Sequence, residues 1–191
     1  MGPTVDKKHE EARLRLLEEG ARSYLDAVSA LIAYREDVQS ICRTVLAKHL
    51  NDYGSALELR LGTDEIQNAE WPSFKEWEGD WWTLGVRVLR KNMIPTIRWW
   101  EAYCCLSYES GDAGLYCWIG EGFPSRQLAA ELYRKFRSLN KKVECDDNEL
   151  CIRRSLQVED VCNLETNLDA VVQEWIELWK EVGGIKQVFP G

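Results

Sequence analysis

Glu76, Glu78 and Asp80 flank Trp77 and run into Trp81 and Trp82, a spacing that sets carboxylates beside aromatic rings. That combination holds cations, either as oxygen ligands around a metal or as an aromatic cage for an ammonium group. A solvated loop beside a core accounts for the same residues and is the simpler reading. Asp146, Asp147, Asn148 and Glu149 also offer oxygen ligands, but they lack the glycine and ligand spacing of a calcium-binding loop and read as a charged hairpin turn. The chain has two histidines, His9 and His49, and no Cys-x-x-Cys pair, so no zinc site is expected. Ser107, Ser110 and Ser125 lack a Gly-x-Ser-x-Gly elbow, and the glycines from Gly111 to Gly122 lack the spacing of a phosphate-binding loop. No catalytic residue, metal ligand or cofactor is assigned.

What remains is aromatic. Seven of the nine tryptophans fall between Trp71 and Trp118. Trp81–Trp82 and Trp99–Trp100 are adjacent pairs on expected strands, so one ring of each pair faces the inner layer and its neighbour the opposite side. Outward rings concentrate binding energy at interfaces. The residues expected to carry binding are therefore Trp77, Trp81, Trp82, Trp99, Trp100, Trp118, Trp175 and Trp179. Coverage of both sheet faces by the protein's own helices is the alternative.

The elements that must position them follow from periodicity. Residues 1–11 are charged and aperiodic and are expected to be a flexible N-terminus. Residues 12–62 form a helical segment: Tyr24, Ala27, Val28, Leu31, Tyr34, Val38, Ile41 and Val45 recur at steps of three and four, with a stop at Asn51–Gly54 and a short helix near Ser55–Leu61. Gly20 is a candidate kink, and Arg35 interrupts what would otherwise be a zipper stripe. Residues 63–191 form an α+β domain. After a turn-rich stretch from Trp71 to Asp80, strands are expected over Trp81–Arg90, Thr96–Tyr108 and Leu115–Gly120, a three-strand antiparallel meander. A helix capped by Ser125 follows, with Leu128, Leu132, Phe136 and Leu139 as its stripe. A two-strand hairpin over Lys142–Cys145 and Leu150–Leu156 comes next. The C-terminal amphipathic helix carries Leu168, Val171, Val172, Trp175, Leu178, Trp179 and Val182 and ends at Gly183–Gly184. The fold class is α+β, with helices packed on one mostly antiparallel sheet. Since the second meander strand is apolar on both sides, each face needs a cover: the long helix on one and the last two helices on the other, or a second subunit.

Composition narrows the partners. Thirty-two acids against twenty-four bases give a net charge of −8, which disfavours nonspecific duplex-DNA binding and anionic membranes. From Glu144 to Glu181 eleven acids face three bases, a negative surface that suits a protein partner of basic charge, with a solvated helix face the simpler explanation. No apolar run is long enough to span a membrane, and the first ten residues are too charged for a signal peptide; a cytoplasmic location is expected. Seven cysteines, an odd number in a chain of this size, are expected as free, mostly buried thiols, with Cys104 and Cys105 on opposite faces of one strand.

In topology the element order is similar to that of two families. The small acidic type III secretion chaperones share its strand and helix order and low pI, and bind partner segments as dimers; the long first helix and tryptophan-rich strands here are additions to that pattern. The PD-(D/E)XK nucleases share the helix, meander and helix, but the third strand, Leu115-Tyr116-Cys117-Trp118-Ile119-Gly120, lacks their acid-x-lysine pair. The reading is a non-enzymatic protein-binding or regulatory protein, adaptor- or chaperone-like, with a homodimer as one form, using the aromatic sheet and the acidic last helix. The alternatives are a degenerate metal-dependent nuclease or hydrolase relative, with Glu101, Glu109, Asp112 and Glu121 as the carboxylates to test, and a small-ligand sensor with a tryptophan-lined pocket.

Overall fold

The computed structural model describes residues 4–73, 81–94, 97–109, 114–140 and 142–189; the side chains of 4–12 and of Tyr24, Ala27, Val28, Leu31, Met93 and Val158 lie outside that description. Two units divide the chain, residues 1–37 and 38–191.

Helix α1 runs from Thr4 to Leu57, starting earlier and ending later than the periodicity predicts. Good helix formers fill its first turns, and helix continues through Gly20, whose cost of about 1 kcal/mol against alanine is spread over a very long element. The expected stop at Asn51–Gly54 does not occur. The helix closes instead where Leu59 N–H reaches Gly54 O (2.7 Å) and Glu58 N–H reaches Ser55 O (3.1 Å), with Glu58 in the left-handed region. In the first unit Leu14, Leu16, Leu17 and Leu25 are exposed.

The second unit is α+β. Six strands, β1 (Ile66–Trp71), β2 (Trp81–Ile94), β3 (Ile97–Glu109), β4 (Gly114–Gly122), β5 (Glu144–Asp146) and β6 (Glu149–Leu156), form one sheet in the order β1-β2-β3-β4-β6-β5. All five pairings are antiparallel. The meander and the hairpin stand where periodicity places them. Strand β1 is additional: periodicity assigns no element to residues 66–70 and reads Trp71 as the start of a turn, because an edge strand leaves Gln67 and Asn68 in solvent and shows no apolar alternation.

Helix α2 (Arg126–Leu139) begins at Ser125, whose Oγ accepts the Leu128 N–H, and α3 (Leu164–Val182) ends at Gly183 in the left-handed region. A short α4 (Ile185–Val188) follows. The layering differs from the expected helix on each face. Val38, Cys42, Val45, Leu46, Leu50 and Tyr53 of α1 and Leu168, Val172, Trp175 and Trp179 of α3 are buried in one core, against the face carrying Leu84, Val86, Val88, Trp100, Ala102, Cys104, Leu106, Cys117 and Ile119. Phe136 of α2 packs edge-on against Trp175 and Trp179 in the same layer. Three amphipathic stripes meet one sheet surface, so among the described residues the opposite face carries no such helical cover. No described helix is long and apolar enough to cross a membrane.

Candidate functional site

Alternation along β3 sends Trp100, Ala102, Cys104 and Leu106 to the helix-covered face and Trp99, Glu101, Tyr103, Cys105, Ser107 and Glu109 to the other. Each face holds a cluster of polar and aromatic groups, and the two differ in kind.

On the covered face Glu121 of β4 is fully buried. It lies opposite Ala102, whose small side chain leaves room for the carboxylate and its neighbours. Oε1 accepts from the Tyr53 hydroxyl, from Trp179 Nε1 (2.7 Å) and from Trp175 Nε1 (3.1 Å), and Oε2 accepts from Trp100 Nε1 (2.9 Å). Trp175 Nε1 also lies 3.1 Å from Tyr53 Oη. Burial pushes the Glu121 carboxyl up to about 7, against the opposing pull of the four donors. Burial and the neighbouring Glu121 raise the Tyr53 phenol well above its ordinary range. One carboxylate thereby ties α1, β3, β4 and α3 together.

The uncovered face carries a groove of about 840 Å³ to which every strand of the sheet contributes. Its aromatic wall is Trp71, Tyr103 and Trp118. Trp71 and Tyr103, on strands flanking β2, meet edge to face at 5.3 Å, and Tyr103 and Trp118 lie 6.0 Å apart. Two glycines fall on the same phase of the pleat where a side chain has no room: a Cβ on Gly85 would stand 2.2 Å from Cys104 O, and one on Gly120 2.7 Å from Leu150 O. At the other end stand Glu144, Asp146, Glu149 and Arg153, bordered by Tyr133 and Arg137 of α2.

Part of this face is internally paired. Arg153 bonds Glu109 (2.8 Å) and Glu144 (2.9 Å), with its guanidinium 5.8 Å from the Tyr116 ring, and Tyr103 donates to Glu101 (2.8 Å). Other groups have no hydrogen-bond or ion-pair partner among the described residues. Ser107 Oγ is buried in the groove floor and unbonded. Glu149 is half-buried and makes no hydrogen bond or ion pair among the described residues; burial pushes its carboxyl up to about 7, Arg153 pulls it down, and Asp146 and Glu101 raise it.

The tryptophans expected to bind fall into three groups. Trp81 and Trp118 line the groove, with Trp81 53% exposed. Trp99 lies half-buried on the same face, beside Gly122, while Trp82 stacks on Tyr108 on the covered side. Trp100, Trp175 and Trp179 are interior residues whose indole N–H groups are used by Glu121. Trp77, with Glu76, Glu78 and Asp80, lies outside the described residues. Trp71, Tyr103, Ser107 and Glu149 are groove residues that periodicity does not single out; the signal for Trp71 and Ser107 is that they share a register row, Trp71–Thr83–Ser107–Tyr116, visible only once the strands are aligned.

The carboxylates of the nuclease reading do not converge. Glu121 points to the covered side and Glu101 and Glu109 to the other, because Glu121 pairs with Ala102 whereas Glu101 and Glu109 stand at odd positions of β3, opposite Gly122 and Gly114, on the other phase of the pleat; Asp112 is outside the described residues. Among the described residues no three His, Cys, Asp or Glu side chains are grouped to hold a metal ion. His49 is buried with Nε2 2.7 Å from Asp169, which Lys48 also contacts at 2.6 Å, and these two partners hold the Asp169 carboxyl below its ordinary range. All seven cysteines are free, five of them buried; Cys104 and Cys105 lie on opposite faces, the Cys104 thiol raised by its hydrogen bond with Cys42 and by burial, and the Cys105 thiol by burial. No family model matches the chain, and no curated protein or solved structure is significantly similar to it.

Proposed function

We propose that this chain is a non-enzymatic binding protein that receives a partner protein on the uncovered, aromatic face of its sheet. The observation that carries the reading is the groove itself: three aromatic side chains beside a buried, unbonded Ser107 hydroxyl and an unpaired Glu149, on a surface whose opposite side has every donor around Glu121 satisfied. Interiors pair their polar groups, so an unpaired set lining a cleft marks a surface adapted to something outside the described chain. The acidic last helix offers less than its composition implies. Asp169 is taken by Lys48 and His49, Glu174 by Asn140 and Glu177 by Lys180.

Selection of random unstructured peptides on the immobilised full chain tests this reading. Binders that are lost on Trp118→Ala and retained on Glu177→Gln are expected. Failure to obtain any Trp118-dependent binder contradicts it.

The first unit favours a second contact. Leu14, Leu17 and Leu25 are 51%, 59% and 63% exposed on one helix, three and eight residues apart and so on one side of it, a stripe that a second copy of the chain would cover. Light scattering of the full chain should give a dimer mass that falls to the monomer value in a Leu14→Ser/Leu17→Ser/Leu25→Ser variant; a monomeric parent chain would exclude it.

A further inference from the structure

We infer that the groove takes an extended peptide segment bearing lysine or arginine, with the aliphatic stem and charge of the basic residue lying between the Trp71–Tyr103–Trp118 wall and the Asp146–Glu149 end. This inference rests on the reading of the groove as a partner site and specifies the partner's chemistry.

Length comes first. The lining reaches from Trp71 on β1 to Asp146 on β5, the two edges of the sheet. Five interstrand steps of about 4.8 Å make that roughly 24 Å, the span of about seven residues of extended chain. A nucleotide or a single amine would fill a fraction of it.

Charge comes second. Glu109, Glu144, Asp146 and Glu149 oppose Arg137 and Arg153 in the lining. Arg153 is shared between Glu109 and Glu144 and Arg137 donates to Val143 O, so among the described residues Asp146 and Glu149 make no direct ion pair, although Arg153 is near enough to lower the Glu149 carboxyl. An incoming ammonium or guanidinium completes the pair, and a carboxylate there would be repelled. Aromatic faces reinforce the choice, since a lysine or arginine stem packs on a ring while its charge is attracted to the ring face.

Polar pairing comes third. The Ser107 hydroxyl is nine-tenths or more buried, unbonded and set in the floor near the Trp71 end, where it can donate to a peptide carbonyl or accept a peptide N–H. A backbone crossing the sheet supplies such groups at regular intervals, which an isolated cation does not.

The test uses the full chain and three fluorescein-labelled heptapeptides: Gly-Lys-Ala-Arg-Ala-Lys-Gly, the same peptide with glutamine at the basic positions, and the same with glutamate. Fluorescence anisotropy is followed for the parent chain, Asp146→Asn/Glu149→Gln, Trp118→Ala, Ser107→Ala, and Glu177→Gln/Glu181→Gln, which removes the same charge elsewhere. The basic peptide should bind about tenfold or more tighter than its glutamine counterpart. The Asp146/Glu149 variant should erase that preference, Trp118→Ala and Ser107→Ala should weaken binding of the peptide, and Glu177/Glu181 should leave it unchanged. Equal binding of the basic and glutamine peptides, still dependent on Trp118, overturns the charge inference and leaves the groove as a partner site. Binding that ignores Trp118, Asp146 and Glu149 alike, or no binding by any of the three peptides, overturns the inference; if random-peptide selection also finds no Trp118-dependent binder, the groove reading falls with it.

Discussion

On the covered face of the sheet the Glu121 carboxylate accepts four hydrogen bonds from α1, β3 and α3, whereas across the same sheet, among the described residues, Ser107 Oγ has none and Glu149 makes no direct ion pair. Both faces use tryptophan and glutamate. Where three helical stripes seal the surface, the indole N–H groups turn inward and the pair becomes a structural tie. Where no amphipathic stripe lands, the rings lie along the surface, with glycines on the same phase of the pleat, and the carboxylates stand at one end of a groove. The difference teaches that aromatic density alone does not mark a binding face. The fate of the polar atoms beside the rings does.

Glu121→Ala is the harshest challenge to that contrast. It strands the Trp100 and Trp179 indole N–H groups and the Tyr53 hydroxyl proton in the core, while Trp175 keeps its bond to Tyr53, and unfolding by urea should show a loss of about 3–5 kcal/mol. Ser107→Ala, on the other face, should change stability by under about 0.5 kcal/mol, since no bond is lost. Equal effects would erase the distinction between tie and groove.

Next in size is a pH effect with a fixed sign. The carboxyls of Glu121 and Glu149 are both raised to about 7 in the folded chain, above the ordinary value of 4.5 that they regain on unfolding. Between those values the folded state holds protons that the unfolded state has released. Stability is therefore fullest below about pH 4.5, falls as pH rises, and levels off above about 7. For the buried Glu121 the change is on the order of 3 kcal/mol; half-buried Glu149 adds a smaller part in the same direction. Urea midpoints across this range should flatten most in Glu121→Gln and less in Glu149→Gln. A midpoint that rises through the window in the parent chain would contradict the assignment.

Smaller still are single-ring changes. Trp179→Phe or Trp100→Phe keeps most of the packing and deletes one N–H donor to Glu121, which should cost about 1–2 kcal/mol. Trp118→Phe should stay within about 0.5 kcal/mol while weakening peptide binding.

Much of this was legible in the chain. The alternation around Trp99–Trp100 predicts rings on opposite faces, and the stripe through Leu168, Trp175 and Trp179 predicts a buried helix face. The Glu121 tie was not, because its donors come from positions 53, 100, 175 and 179, and only the folded register brings them to one carboxylate. Strand β1 stayed hidden because polar Gln67, Asn68 and Glu70 erase the alternation at an edge, and with it the role of Trp71. Helical periodicity identifies α1 and α3 as amphipathic but carries no information on which sheet face each will choose.

The most direct test is the indole region of a ¹H–¹⁵N correlation spectrum of the full chain, recorded in deuterium exchange and then with the basic heptapeptide. The Trp100, Trp175 and Trp179 indole N–H signals should exchange slowly and stay in place, while those of Trp71, Trp81 and Trp118 exchange quickly and shift as peptide is added. Slow exchange on the groove rings without peptide-induced shifts, or shifts confined to Trp100, Trp175 and Trp179, would contradict the division of the sheet into a sealed face and a binding face.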